Sequence, residues 1–487
     1  MSGKLPVYLR SALEQTRLLR SRKISARELL DLCWAQVEKH NPSLNAVIVS
    51  DIRRARKAAA AADKRLKAGR PKGIFDGVPM TIKESFDWTG TPTSWGDPRF
   101  AGNMAKSDAV ALTRLTEQGA VIFGKTNVPL MLADWQSFNA IYGTTNNPWD
   151  VTRAPGGSSG GSAVALATGM SALEIGSDIG ASIRNPAHYC GVYGHKPTYG
   201  IVPMRGQFLP GIVNPSDISV AGPMARSARD LTFMLKLLAG SDGAEARAIQ
   251  LKLPPASQAS FKSFRVAVML SDPVSEVDQP VQDLLGHLVK FLSRRVKRLS
   301  MTARPAFSTR EAMDVYVALL RSATSRRQSD AEFANNQKRA NGFRPDDDSY
   351  FAQMTRAYVL PHRSWLTVNE RRHQMRLLWD RFFDDWDVMI CPAAASAAFP
   401  HDQTGERHER TIPVNGRQVP TTDQLFWAGY SGGFYLPSTV APMGLTPQGL
   451  PAGVQIIARQ YGDLTALRFA ELLEREYYAF VPPPSHH

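Results

Sequence analysis

The chain has few of the residues that staple or metallate small folds. Among 487 residues there are three cysteines, Cys33, Cys190 and Cys391, far apart and odd in number. That excludes a disulfide framework and points to reduced thiols. The ten histidines form no H-E-x-x-H pattern, and no C-x-x-C is present, so no metal and no cofactor is implied. No apolar run reaches the ~18 residues that span a bilayer. Met1 to Arg20 lacks the apolar core and small-residue cleavage site of a signal peptide, which makes the cytoplasm the expected location. Internal repeats and long low-complexity linkers are also missing.

Positive charge is in excess. There are 58 basic against 44 acidic residues, a formal net charge of +14. Such a balance can serve nucleic acid or anionic surfaces. The densest cluster, Arg294-Arg295-Val296-Lys297-Arg298, has no interleaved aromatics and reads as a solvated helix face, so nucleic acid is not the expected partner.

Local patterns alternate between helix and short apolar strand. Ser25-Ala26-Arg27-Glu28 fits a capping box ahead of a helical face at Leu29, Leu30, Cys33, Trp34 and Val37. Arg53 to Ala68 reads as an amphipathic helix stopped by Gly69. Gly77 to Ile82 and Val121 to Phe123 read as buried strands, with Ala109 to Gln118 as the helix between them. Ser162 to Met170 reads as helix and Ala172 to Ile175 as strand. Ser182 is expected to open a helix that Pro186 interrupts or caps. The alternation favours an α/β architecture. Residues 240–385 are mostly helical in pattern, over Val281 to Leu299, Arg310 to Arg321, Asp330 to Arg339 and Trp365 to Phe383. They are expected to elaborate one domain spanning 1–487. The tail from Pro482 to His487 reads as disordered.

The richest stretch for chemistry is 156–186. Gly156-Gly157-Ser158-Ser159-Gly160-Gly161-Ser162 is followed by Gly176-Ser177-Asp178-Ile179-Gly180-Ala181-Ser182-Ile183-Arg184-Asn185-Pro186. Glycine-framed serines present hydroxyls and bare backbone N–H groups to a reacting carbonyl. Upstream, Gly77-Val78-Pro79-Met80-Thr81-Ile82-Lys83 ends an apolar run on a lone lysine.

On these residues the chain resembles the amidase signature family, whose members use a Ser–cis-Ser–Lys triad. Further pieces are Gly124-Lys125-Thr126-Asn127, Thr145-Asn146-Asn147-Pro148-Trp149, Lys196-Pro197-Thr198-Tyr199-Gly200, Ala221-Gly222-Pro223-Met224 and Gly449 to Ile456. The resemblance covers most of 25–235 and 385–475. It implies an α/β fold with a central mixed sheet flanked by helices on both faces. It makes Ser182 the nucleophile, Ser158 the bridging serine and Lys83 the base, with Ile179, Gly180 and Ala181 forming the oxyanion hole. Lys83 can act only when neutral, which requires burial to lower its pKa.

The chain departs from the family pattern twice. Alanine at 181 stands where the family usually has glycine, with its N–H expected to stay available. Leu130-Met131 stands where many members have Glu-Phe, which makes Met131, Leu132 and Asp134 candidates for the substrate pocket. The Met131-Leu132 segment and the aromatic-rich Leu425-Phe426-Trp427 and Phe434-Tyr435-Leu436 segments make an uncharged amide with an apolar or aromatic part the expected substrate. Carbamates and esters are alternatives for the same triad, and the glutaminase subunit of a tRNA-dependent amidotransferase is another. A homodimer is left open.

Overall fold

A computed structural model of the chain describes residues 5–484. Eight strands form a large mixed sheet. Its spatial order is Arg298–Ser300, Arg265–Val268, Val388–Pro392, Pro451–Ile457, Ser438–Leu445, Tyr193–Lys196, Val220–Ala225 and Leu173–Asp178. The pairs flanking Arg265–Val268 are parallel and the remaining pairs are antiparallel.

A three-stranded sheet joins Val47–Ser50, Val121–Thr126 and Pro79–Lys83. It lies against the edge of the large one. The Ala172 N–H donates to the Pro79 carbonyl at 3.3 Å, and the Thr81 N–H donates to Ser171 Oγ at 2.9 Å. The strand ending in Lys83 therefore runs beside the strand ending in Asp178.

Helices cover both faces of the large sheet. Adjacent residues of one strand point to opposite faces. Gly194 faces the Arg184–Cys190 helix, where a Cβ would meet Ile183 and Ala187. Its neighbour His195 faces the start of the Asp463–Glu476 helix and contacts Asp463 Oδ1 at 3.1 Å. Strand burial is continuous rather than alternating, as a doubly covered sheet requires.

Most expected elements are present. The capping box of Ser25 and Glu28 opens the Ala26–Leu44 helix. The Ile52–Lys67, Val110–Glu117 and Gly160–Ala167 helices match their patterns within a few residues. Four expectations change. Residues 240–385 are not only helical: they supply Arg265–Val268 and Arg298–Ser300 to the large sheet. The Gln279–Ser293 helix therefore ends before the basic cluster, which forms a turn and an edge strand, with Arg295 over the Phe291 ring and Arg298 over Trp386. Pro186 sits in the first turn of Arg184–Cys190, where a missing N–H costs nothing, and does not interrupt it. In the tail, Pro482 and Pro483 are buried, while 485–487 lie outside the described residues.

No helix among the described residues is long and apolar enough to cross a membrane.

Candidate active site

Three polar side chains meet where the two sheets join. Lys83 ends its strand fully buried, and its Nζ lies 2.7 Å from Ser158 Oγ, 3.0 Å from Ser177 Oγ and 3.4 Å from the Ser177 carbonyl. Ser158 sits in the glycine loop before the Gly160–Ala167 helix, after a cis Gly157–Ser158 peptide. Glycine at 157 is needed for close approach: a Cβ there would lie 2.3 Å from the Asp134 carbonyl oxygen. Ser182 follows the Asp178 strand end. Its carbonyl accepts the Ser159 N–H at 3.1 Å, which ties the second serine segment to the first.

The surroundings favour a neutral amine. Burial pushes the Lys83 pKa down from 10.5 to about 7, against the pull of Asp178, Glu174 and Glu84. Glu174 offers little countercharge near neutrality, because burial raises its own pKa to about 8. Its carboxyl accepts a short hydrogen bond from Thr81 Oγ1.

Asp178 organises the loop that follows it. Burial works to raise its pKa, but the buried Arg184 guanidinium beside it wins and holds it below the usual carboxylate value. The carboxylate accepts N–H bonds from Ala181 at 2.9 Å and Ile183 at 3.1 Å, and two side-chain bonds from Arg184 at 2.9 and 3.0 Å. Arg184 is in turn fixed by the Ala428 carbonyl, Ser431 Oγ and Gln455 Oε1 at 2.6–3.0 Å. The Ala181 N–H, expected to be open, is thus engaged by Asp178. Ala181 also adopts φ +69°, a left-handed conformation that suits glycine better.

Two aromatic side chains hold the carbonyls of the same loop. Tyr316 donates its hydroxyl to Ile179 O at 2.9 Å, and Trp135 donates Nε1 to Gly180 O at 2.8 Å.

A cavity of about 610 Å³ opens onto Ser182, Ile179 and Gly180, and its wall includes Met131, Leu132 and Asp134. The Asp134 carboxylate is tied to Arg410 at 2.7 Å. Of the expected residues, Ser182, Ile179, Gly180, Met131, Leu132 and Asp134 line this cavity, while Lys83 and Ser158 lie buried outside its wall.

The amidase family model matches residues 28–467. The chain belongs to the amidase signature family. It is 30% identical over 476 residues to a glutamyl-tRNA(Gln) amidotransferase subunit of Chloroflexus aurantiacus, with 93% of each chain covered. It is 31% identical over 492 residues to the indoleacetamide hydrolase of Bradyrhizobium diazoefficiens, covering 97% of this chain and 87% of that one. A solved bacterial aryl acylamidase of the amidase signature family superposes with a TM-score of 0.81 at 25% identity, with 97% of both chains covered.

Sequence reasoning about this amidase does not single out Ser177, Tyr316 or Trp135. Ser177 stands inside the Gly176-Ser177-Asp178 run, so a signal is present: a hydroxyl next to the strand end that leads to Ser182. Tyr316 carries no local signal, because it reaches the loop from 137 residues away. Among the described residues, no group of three or more His, Cys, Asp or Glu side chains is placed to hold a metal ion.

Proposed function

We propose that this amidase hydrolyses an amide with an apolar or aryl part through an acyl-enzyme on Ser182. The observation that carries the reading is the 2.7 Å contact between Lys83 Nζ and Ser158 Oγ at a fully buried lysine. A neutral Lys83 accepts the Ser158 proton as Ser158 takes the proton of Ser182. Ser182 Oγ then attacks the amide carbon, and the carbonyl π electrons move to oxygen. The oxyanion lies against the N–H groups of the Ile179–Ser182 loop, of which that of Ala181 is shared with Asp178. The proton returns through Ser158 to the leaving nitrogen as the C–N bond breaks. Water enters by the same relay, releases the acid and frees Ser182.

The apolar part of the substrate rests on Met131, Leu132, Trp135, Leu320 and Leu425, which line the cavity beside Ser182. The similarity to an aryl acylamidase and an indoleacetamide hydrolase supports an aryl group.

A fluorophosphonate probe followed by peptide mass analysis tests the assignment. Label on the peptide that carries Ser182, lost in Ser182→Ala together with anilide hydrolysis, is the expected result. Label on Ser158 or Ser159 with an active Ser182→Ala enzyme would overturn it.

The similarity to a component of a tRNA-dependent amidotransferase favours one second reading, a glutaminase subunit. That reading requires a stable partner and glutamine hydrolysis, both of which co-purification and a glutamine assay would reveal.

A further inference from the structure

The cavity beside Ser182 is not an apolar slot alone. Arg321, Arg327 and Arg407 line it as well. Arg321 is 6% exposed. Arg327 gives one N–H to the Met131 carbonyl at 2.8 Å and stacks over the Trp95 ring at 5.6 Å. Arg407 stacks over Trp135 at 5.4 Å, the side chain whose indole N–H holds the Gly180 carbonyl. Arg321 donates to the Tyr350 hydroxyl.

None of these three guanidiniums forms an ion pair among the described residues. The acids on the same wall are committed elsewhere. Asp134 is bridged to Arg410 and offers Arg407 only a shared charge, and Glu332 is bound to the Ser329 N–H and hydroxyl at 2.6 and 2.8 Å. Glu406 caps the Arg407–Glu409 turn. Burial and repulsion from Arg321 and Arg407 lower the Arg327 pKa to about 10, still far above neutrality, so Arg327 remains charged.

Arg321 is buried and Arg327 and Arg407 are half-buried; cations drawn out of water without a full counter-charge are costly, and a ligand can supply the missing charge. A guanidinium fork matches the two oxygens of a carboxylate. We infer that the amide substrate carries a carboxylate, which Arg321, Arg327 and Arg407 receive on the wall of the cavity they share with Ser182. The uncharged substrate expected from the sequence gives way to an aryl or apolar amide with an acidic end. This inference rests on the amide-hydrolase reading above and deepens it.

Matched probes test it on either side of the scissile bond. Succinanilate and butyranilide differ by an acyl-side carboxylate, and 4-acetamidobenzoate and acetanilide by one on the amine side. Binding is measured by calorimetry on Ser182→Ala, so the outcome does not depend on turnover. At least one carboxylate probe should bind about 10-fold or more tighter than its neutral partner, as a charge-assisted hydrogen bond provides. The preference should shrink at high salt and collapse in Arg327→Gln. Because Arg327 also holds the Met131 carbonyl, Arg407→Gln is the second variant, and it too should reduce the ratio. Equal or weaker binding of both carboxylates, or a preference that both variants leave intact, overturns the inference. Failure of Ser182 to take the fluorophosphonate would instead sink the catalytic reading and leave this comparison standing.

Discussion

The Tyr316 hydroxyl donates to the Ile179 carbonyl at 2.9 Å, joining the Thr309–Thr324 helix to the loop beside Ser182. In a planar trans peptide the carbonyl and the next N–H point in opposite directions. Holding Ile179 O therefore aims the Gly180 N–H away from Tyr316. Trp135 does the same one peptide later, and the Ala181 N–H turns to Asp178. The Tyr316 ring has a prepared seat. A Cβ on Gly429 would lie 2.2 Å from the ring, and one on Gly433 would lie 2.9 Å from it. A segment outside the glycine-framed motifs thus also fixes the loop beside Ser182.

Tyr316→Phe removes the donor and keeps the ring. One ordinary hydrogen bond contributes about 0.5–1.5 kcal/mol, so kcat should fall by up to about 10-fold. KM should change little, because the bond matters most when charge develops on the oxyanion. Steady-state kinetics on an anilide, with melting curves to confirm an intact fold, checks this. A pure KM effect would show that Tyr316 only shapes the pocket.

Activity should rise with pH through about 7, the value to which burial lowers Lys83. Below it the amine is protonated and cannot accept the Ser158 proton. Lys83→Ala should lower kcat by roughly 10²–10⁴-fold. The stability effect has its own sign. A lysine with a lowered folded pKa binds fewer protons folded than unfolded, so stability falls as pH drops from 10.5 toward about 7. Lys83→Met escapes this penalty. Its melting temperature should exceed the wild-type value at pH 7, with the gap closing as the pH approaches 10. A gap independent of pH would mean that Lys83 is not the group titrating.

How much of this was legible follows from range. The glycine-framed serines and the lysine at a strand end are local patterns, and they converge as expected. The contact of Ser177 with Lys83 depends on which strands are neighbours across the junction of two sheets, and no pattern within either strand encodes that. The three-residue edge strand Arg298–Ser300 is too short to show alternation and reads as part of the preceding helical run. The arginines of the cavity come from segments around 321–327 and 407, and their convergence is tertiary.

Arg184→Ala should be severely destabilising. It leaves Asp178 charged, buried and without its partner, and breaking a buried pair costs about 3–5 kcal/mol. The loss should appear in denaturant midpoints and should grow as pH rises from acid, since protonating Asp178 relieves the unpaired charge. Asp178→Asn combined with Arg184→Met should recover part of the stability, because both charges are then gone. A double variant no more stable than Arg184→Ala would show that the pair does not act as a unit.

Ala181 provides the last test, because one methyl group separates strain from function there. At φ +69° an L-residue places its Cβ near the following carbonyl, at a cost of about 1–2 kcal/mol that glycine avoids. Glycine loses part of that gain to the entropy of the unfolded chain. Ala181→Gly should therefore raise stability by about 1 kcal/mol or less, and Ala181→Val should lower it, since a β-branched residue fits this region worst. The hydrogen bonds that Tyr316 and Trp135 donate, and the one that Asp178 accepts from the Ala181 N–H, do not involve the Ala181 side chain, so the loop geometry persists in the glycine variant and kcat should stay within a few fold. Thermal melts of the three proteins, read beside their anilide kinetics, give the order Gly, Ala, Val if backbone strain decides the matter. Alanine at the top of that order would mean that the methyl group contributes packing against the loop that outweighs its strain.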